Sequence, residues 1–517
     1  MAALKGTCWD AVGIDANGPG CVKRARAKNA QNCFFPFLLS KVTASAVLFL
    51  FNVIETKFLR ASPTLKFSHS LDPNSFLARK FSAATMGNAF NSVGAPSARR
   101  FALVAAFVAH CTSAGGAADA ADAPAPAPEK LQLITEFFDN EIATGKLPGV
   151  AVLIQQHGRP VYLKCFGVRD VTSQRPMTPD TIFALHSMTK PITSLAAMML
   201  IDAGKLALDD PVSKYIPTFG NMQVGLEMTD SQGEATLKLV PAARQVTIMD
   251  LLRHTSGISY EYIGGEWVLK AYSQAHLFDG KFDNKEFAGR IAKLPLARQP
   301  GTLWRYGHST DVLGRVIEIV SGQTLYHFMK QHILDPLDMN HSKFVLHTPE
   351  ELTRMAEPLP SDTVLVDAQR ERRANPEWES GGGGLVSTIT DYARFAQMIL
   401  NGGELDGTRY LSPSAFKDMT TDHVGPGSGV GRDYFYFPGD GFGFGYGLAV
   451  RTEPGEAKPP PPGSIGELKW DSGSGTYFGV DPKLDMIYIL MAQTQNERAR
   501  TRLVFKKLVY DAFAVGD

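Results

Sequence analysis

The apolar positions of the chain change period several times, and each change marks an element. Over residues 131–144 they recur at helical spacing, which predicts a helix. Residues 149–155 and 160–166 are short apolar runs with β-branched residues, joined by Gln156-His157-Gly158-Arg159, and read as a hairpin. Helical spacing returns over 187–203, which stops at Gly204, and over 311–320, which stops at Ser321-Gly322. Residues 249–254 make one helical turn before Thr255-Ser256-Gly257, and the glycine run 380–384 precedes a helix over 389–400. Residues 446–451, 475–481 and 486–493 read as strands, and 500–514 as a closing helix. Strands at both ends with helices between them predict an α+β fold: an antiparallel sheet flanked by helices, plus an all-helical lobe.

Composition divides the chain. Residues 1–115 hold 13 Lys/Arg against 4 Asp/Glu, a net of +9, and the remainder carries −9, so the 517 residues are neutral as a whole. Four of the five cysteines (Cys8, Cys21, Cys33, Cys111) lie in the basic part. After Met86 come Arg99-Arg100, an apolar stretch 101–109 and a small-residue stretch 112–121, the layout of a secretory signal. This predicts a periplasmic or secreted protein. Cys111 would suit a lipid anchor, but His110 is bulky where a small residue is expected. The apolar run 44–54 is short for a membrane span, and Lys41 and Glu55 bound it closely, so no stable span is expected in the mature protein. Residues 117–128 form an Ala/Pro linker. The expected organisation is a disordered or non-native extension over 1–85, a signal peptide and linker over 86–128, and one folded domain over 129–517. Hydrophobic residues at 44% supply a large core, the neutral balance argues against a nucleic-acid partner, and five cysteines exclude a disulfide scaffold.

The sharpest chemical signal is Ser187-Met188-Thr189-Lys190 at the head of an apolar helix. Positions i and i+3 share a helix face, so Ser187 and Lys190 would touch one turn apart. A serine hydroxyl is a poor nucleophile until a base takes its proton, and a lysine does so only when burial lowers its pKa. The helix N-terminus favours a developing anion. The competing reading makes Ser187 an N-cap and Lys190 a surface charge. Gly307-His308-Ser309-Thr310-Asp311 imitates a lipase elbow, but Asp311 stands where that turn needs glycine; Ser309 and Asp311 are expected to cap the following helix. The twelve histidines show no metal-ligand spacing and no glycine-rich phosphate loop follows a strand, so neither metal nor cofactor is expected. Cys165, in an apolar strand, is expected to be inert.

Four phrases occur in order: Ser187-Met188-Thr189-Lys190-Pro191, Leu252-Arg253-His254-Thr255-Ser256-Gly257, Pro300-Gly301-Thr302-Leu303-Trp304-Arg305-Tyr306, and Ser380-Gly381-Gly382-Gly383-Gly384-Leu385. With them the chain resembles the serine β-lactamase and penicillin-binding-protein superfamily over nearly all of residues 131–515. Within it, the chain is most similar to the class C β-lactamase-like branch, and there to the family VIII carboxylesterases. The resemblance implies a β-lactamase/transpeptidase-like fold, Ser187 as nucleophile, Lys190 as its base and Tyr306 as the third catalytic residue. His308 replaces the family's Asn and becomes a candidate substrate contact, while His254 and Ser256 fall in a structural turn. The family's third motif aligns with Trp470-Asp471-Ser472-Gly473-Ser474-Gly475-Thr476 in two registers. In one, the Gly473 N–H joins the Ser187 N–H as the oxyanion hole; in the other, Ser474 supplies it. Trp470 and Ser472 would contact substrate. No cation stands where the family often has lysine or histidine, which favours neutral small-molecule esters, short-chain acyl esters first. The alternatives are a β-lactamase or D-Ala-peptide hydrolase, an acyltransferase to an alcohol, and a catalytically silent cell-envelope binding protein. The loops 422–443 and 453–463 are expected to shape substrate preference.

Overall fold

The strands at the centre of the main sheet come from opposite ends of the folded chain. The computed structural model describes residues 123–229, 235–263, 266–374, 376–425 and 439–513. In chain order its strands are β1 (Gly149–Gln156), β2 (Arg159–Asp170), β3 (Arg175–Pro176), β4 (Phe183–Ala184), β5 (Gln223–Thr229), β6 (Ala235–Pro241), β7 (Val386–Ser387), β8 (Glu404–Leu405), β9 (Thr408–Arg409), β10 (Phe442–Phe444), β11 (Ala449–Arg451), β12 (Leu468–Asp471), β13 (Tyr477–Asp481) and β14 (Met486–Ala492). Eight of them form one antiparallel sheet in the order β10-β11-β12-β13-β14-β1-β2-β3. The pairs β4–β7, β5–β6 and β8–β9 stand apart from it.

The sheet is covered on both faces, which is why β1 and β14 read as unbroken apolar runs rather than as alternation. Val150, Val152 and Ile154 pack with Ile134 and Phe138 of helix α1 (Pro128–Ala143) and with Phe505 and Val509 of the C-terminal helix. Ala151 and Leu153 point the other way, into the larger core. That core is built around α2 (Thr189–Asp202), where every residue from Thr189 to Met198 is buried. A helix apolar all round belongs inside a domain, not on its surface. It packs against α3 (Ser309–Ser321) and α4 (Ile389–Leu400) lies close by, its Tyr392 hydroxyl donating to the Met188 carbonyl at 3.0 Å. The closing helix is α5 (Arg498–Phe513).

The helical lobe is richer than the sequence pattern indicates. Helices Glu266–Gln274, Asn284–Ile291 and Thr363–Ala374 and the β5–β6 hairpin all lie between α2 and α4. In β5 the apolar stripe Val224, Leu226, Met228 does alternate, but only Val224 is buried, so it is too short to stand out. Among the described residues no helix is long and apolar enough to cross a membrane. The signal-like segment 99–121, the extension 1–85 and most of the loop 422–443 lie outside the described residues.

Candidate active site

Ser187 sits in a bend, not at a helix cap. His186–Met188 forms one 3-10 turn, entered through His186 at φ +44°, and α2 takes over at Thr189. Lys190 lies in the first turn of α2. Its Nζ is 3.4 Å from Ser187 Oγ, 3.0 Å from the Tyr260 hydroxyl and 2.7 Å from the Gly382 carbonyl oxygen. The amine is fully buried, and desolvation pulls its pKa down to about 7 against the opposing pull of the Asp311 carboxylate. Near pH 7 about half of it is neutral. A neutral amine has two N–H bonds and one lone pair. The Gly382 carbonyl can only accept, and the Tyr260 oxygen takes the second N–H. The lone pair is then left for the Ser187 hydroxyl, the arrangement of a general base.

The glycine run explains itself here. Asp311 is buried and its carboxylate accepts from Ser380 Oγ at 2.5 Å and from the Gly382 N–H at 3.0 Å. Gly382 thus turns its N–H to Asp311 and its carbonyl to Lys190. A Cβ on Gly382 would lie 2.5 Å from Asp311 Oδ2, and one on Gly381 would lie 2.6 Å from the Thr310 carbonyl oxygen. Asp311 therefore does not cap α3 as the sequence suggests: its carboxylate is spent on the glycine loop and on His308. Ser309 likewise turns to Ser256, Oγ to Oγ at 2.8 Å.

Tyr306 lies against Lys190 with its ring, 4.7 Å from Nζ to the ring centroid. It is stacked on Trp304 at 5.7 Å and meets the Trp470 ring edge-on at 5.6 Å. Trp470 is buried behind Tyr306 and Phe444 and is not on the cavity wall. Ser472 is turned inward as well, bonded to Ser474 and Thr476 at 2.8 Å each. The Ser474 N–H donates to Ser472 Oγ, and the Ser474 and Thr476 hydroxyls bind the carbonyls of Ala184 and Leu185, tying this turn to the strand that leads into Ser187. Gly473 lines the same cavity as Ser187.

His308 also lies on the wall, but neither ring nitrogen is left for a substrate. Nδ1 faces Asp311 Oδ2 at 3.0 Å and Nε2 faces Glu261 Oε2 at 3.3 Å. Burial acts to lower its pKa, yet the two carboxylates prevail and raise it above the ordinary imidazole value. The sequence does not single out Tyr260, which the fold brings to Lys190. It follows the Leu252–Gly257 phrase by three residues, and nothing in its type separates it from a packed aromatic. Burial, with Tyr306 and Tyr262 nearby, pushes its phenol well above the usual value, so it stays protonated.

A cavity of about 860 Å³ opens over Ser187. Its lining includes the aromatic side chains of Tyr262, Phe278 and Trp378 and the apolar chains of Leu346, Met355 and Leu365. The third motif brings no cation, yet Arg373 and Arg498 reach the wall. Segment 344–386 shapes much of the cavity; the loop 453–463 contributes nothing to it and is instead pinned by the Arg451 guanidinium, which donates to the carbonyls of Pro454, Pro461 and Pro462. Among the described residues no His/Cys/Asp/Glu group is arranged to hold a metal. Cys165 is half-buried, and burial raises its thiol to about 11.

The beta-lactamase family profile matches residues 134–510, and the chain belongs to that family. An uncharacterized protein of Mycobacterium tuberculosis (strain CDC 1551 / Oshkosh) is 32% identical over 366 residues, 68% of this chain and 86% of that protein. Esterase EstB of Burkholderia gladioli is 32% identical over 385 residues, 70% of this chain and 89% of that protein. The structure of EstCE1, described as a hydrolase with promiscuous acyltransferase activity, matches with a TM-score of 0.59 at 25% identity, over 74% of this chain and 99% of that one. Simvastatin synthase LovD from Aspergillus terreus shares the fold, with a TM-score of 0.62 at 23% identity over 75% and 100% of the two chains. The protein is an enzyme of the β-lactamase-like hydrolase and acyltransferase superfamily, with the β-lactamase/transpeptidase-like α+β fold.

Proposed function

We propose that the protein is a carboxylesterase working through an acyl-enzyme on Ser187. The observation that carries this reading is the buried Lys190 amine, 3.4 Å from Ser187 Oγ with a pKa of about 7. Ser187 attacks the ester carbonyl while Lys190 takes its proton. The carbonyl oxygen, now an oxyanion, is held by the backbone N–H groups of Ser187 and Gly473. Gly473 is favoured over Ser474 because the Ser474 N–H is already bonded to Ser472 Oγ. As the tetrahedral intermediate collapses, the proton passes by way of Lys190 and Tyr306 to the departing alcohol. Water then attacks the acyl-enzyme with the same groups acting in reverse, releasing the acid. No cofactor enters this sequence. The signal-like segment 99–121 supports export to the periplasm or the medium.

Esters are favoured over β-lactams because a tryptophan, Trp470, stands at the family's motif position for a cation, and because a relative matched over 89% of its own length is named an esterase. Short acyl esters fit with room to spare: a cavity of about 860 Å³ with a largely apolar lining also takes larger acyl or alcohol groups. That room supports a second reading, transfer of the acyl group to an alcohol, which a relative of like fold is described as doing. The test compares p-nitrophenyl butyrate with nitrocefin, each with and without an added alcohol, on wild type and Ser187→Ala. Ester turnover that exceeds nitrocefin turnover and vanishes in the variant is expected. Faster nitrocefin cleavage would replace the esterase with a β-lactamase, and new ester product in the alcohol arm at the expense of free acid would favour the transferase.

A further inference from the structure

We infer that His308 is a positioning residue that tunes Lys190: clamped between Glu261 and Asp311, its imidazolium holds the Asp311 carboxylate on Ser380 and Gly382 and offsets that carboxylate's charge beside the lysine. The inference rests on the reading of Lys190 as the base for Ser187.

The geometry admits one protonation state. Each ring nitrogen of His308 faces a carboxylate oxygen, Asp311 at 3.0 Å and Glu261 at 3.3 Å, in a site where the ring is 3% exposed. A neutral ring would turn a lone pair toward one of the two carboxylates; only the imidazolium donates to both. The ring cannot swing away. It meets Tyr260 edge-on at 4.4 Å and Phe287 at 5.1 Å, with Phe278 at 6.0 Å.

The charges around it are few. Glu261 lies between β6 and helix Glu266–Gln274, Asp311 in α3 and Lys190 in α2, where its charge acts on Asp311. His254, buried within reach of Lys190 and Asp311, is held well below the ordinary imidazole pKa by burial and stays neutral. The Tyr260 phenol stays neutral, since burial pushes it well above its usual pKa. Glu261, His308 and Asp311 together therefore present one net negative charge to Lys190. Without the imidazolium they present two. More negative charge favours the ammonium form of Lys190, so its pKa rises and less of it is free to accept the Ser187 proton at neutral pH. The His308 side chain thus acts on the chemistry through Asp311 and Gly382 without touching a reacting atom.

The test is the pH dependence of single-turnover acylation by p-nitrophenyl butyrate in wild type, His308→Asn and His308→Gln. The midpoint is expected near 7 in wild type and higher by about one pH unit in the variants, so that acylation is roughly fivefold slower at pH 7 and restored by pH 9. An unchanged midpoint, or a loss equal at every pH, overturns the inference and leaves His308 a packing residue. Should both variants fail to fold, nitrogen-15 histidine spectra of the wild-type protein decide. A doubly protonated His308 ring at pH 8 supports the clamp; a single neutral tautomer at pH 7 overturns it. Ester hydrolysis that survives in Ser187→Ala removes the base reading, and the tuning with it, whatever the spectra show of the clamp.

Discussion

Asp311 reaches Lys190 through a single residue, Gly382. Its carboxylate accepts the Gly382 N–H at 3.0 Å, and the carbonyl of that same residue accepts from Lys190 Nζ at 2.7 Å. The lysine's orientation is therefore set by a glycine loop that is itself held by a buried acid on α3. Several expectations follow from this coupling.

Asp311→Asn removes the charge that pairs with His308 and puts an amide where Ser380, Gly382 and His308 all donate. Breaking a buried pair of this kind costs about 3–5 kcal/mol. Chemical denaturation is expected to show a loss in that range, with ester turnover falling at least as far as stability alone requires. A stable variant with normal turnover would mean the glycine loop holds itself.

The glycine loop offers a paired test. A Cβ on Gly381 would press on the Thr310 carbonyl at 2.6 Å, backbone against backbone, whereas the nearest atom to a Cβ on Gly383 is His186 Cα at 3.7 Å. Gly381→Ala is expected to lose about 1–3 kcal/mol and much of its turnover as the Gly382 carbonyl is displaced from Lys190. Gly383→Ala is expected to fold and turn over as wild type. Equal effects in the two would dissociate the loop from the lysine.

Lys190 makes the pH dependence explicit. In the proposed mechanism its neutral form is the base, so acylation is expected to rise with pH through about 7. Lys190→Arg, charged throughout, is expected to lose about a thousandfold or more. Stability follows the same pKa. The folded value is about 7 and the unfolded one 10.5, so the folded chain holds fewer protons between them. The lysine's penalty is full below pH 7 and fades as pH rises toward 10.5, with a slope of at most about 1.4 kcal/mol per pH unit. The difference in unfolding free energy between wild type and Lys190→Met, measured from pH 6 to pH 10, is expected to move in favour of wild type as pH rises. A flat difference would place the lysine's folded pKa near its ordinary value.

The roles proposed for the two phenols around Lys190 can be separated. Tyr306→Phe keeps the ring on the amine but would remove the proposed proton path to the leaving group, with an expected loss of about 10²–10⁴. That loss is expected to be larger for alkyl esters, whose alcohols need a proton to leave, than for p-nitrophenyl esters. Tyr260→Phe removes one acceptor for the lysine N–H and is expected to cost about tenfold, equally for both ester types. The reverse pattern would exchange their roles.

What the sequence reveals here is what lies close along the chain. Ser187 and Lys190 are one turn apart, and their contact follows from helix geometry alone. β1 and β14, apolar on both faces, announce themselves as buried strands wherever they pair. Roles assembled from distant segments are another matter. His308 looks like a substrate contact until Glu261, from 47 residues earlier, occupies its second nitrogen. Trp470 keeps its motif position, but whether it faces the cavity or the core depends on Tyr306 and Phe444, which no local pattern brings together. Tyr260 enters the site only because the chain folds back over α2. The cavity wall falls to segment 344–386, whose polar helix Thr363–Ala374 has too little apolar periodicity to signal that it encloses anything.

The most direct test is the intact mass of the protein after brief exposure to p-nitrophenyl butyrate, with peptide mapping of any adduct, on wild type and Ser187→Ala. A butyryl increment on the peptide that contains Ser187, lost with time as p-nitrophenol continues to appear and absent in the variant, is the result predicted. An unmodified wild-type protein that still turns over ester, or an adduct that persists in Ser187→Ala, would contradict the account at its centre.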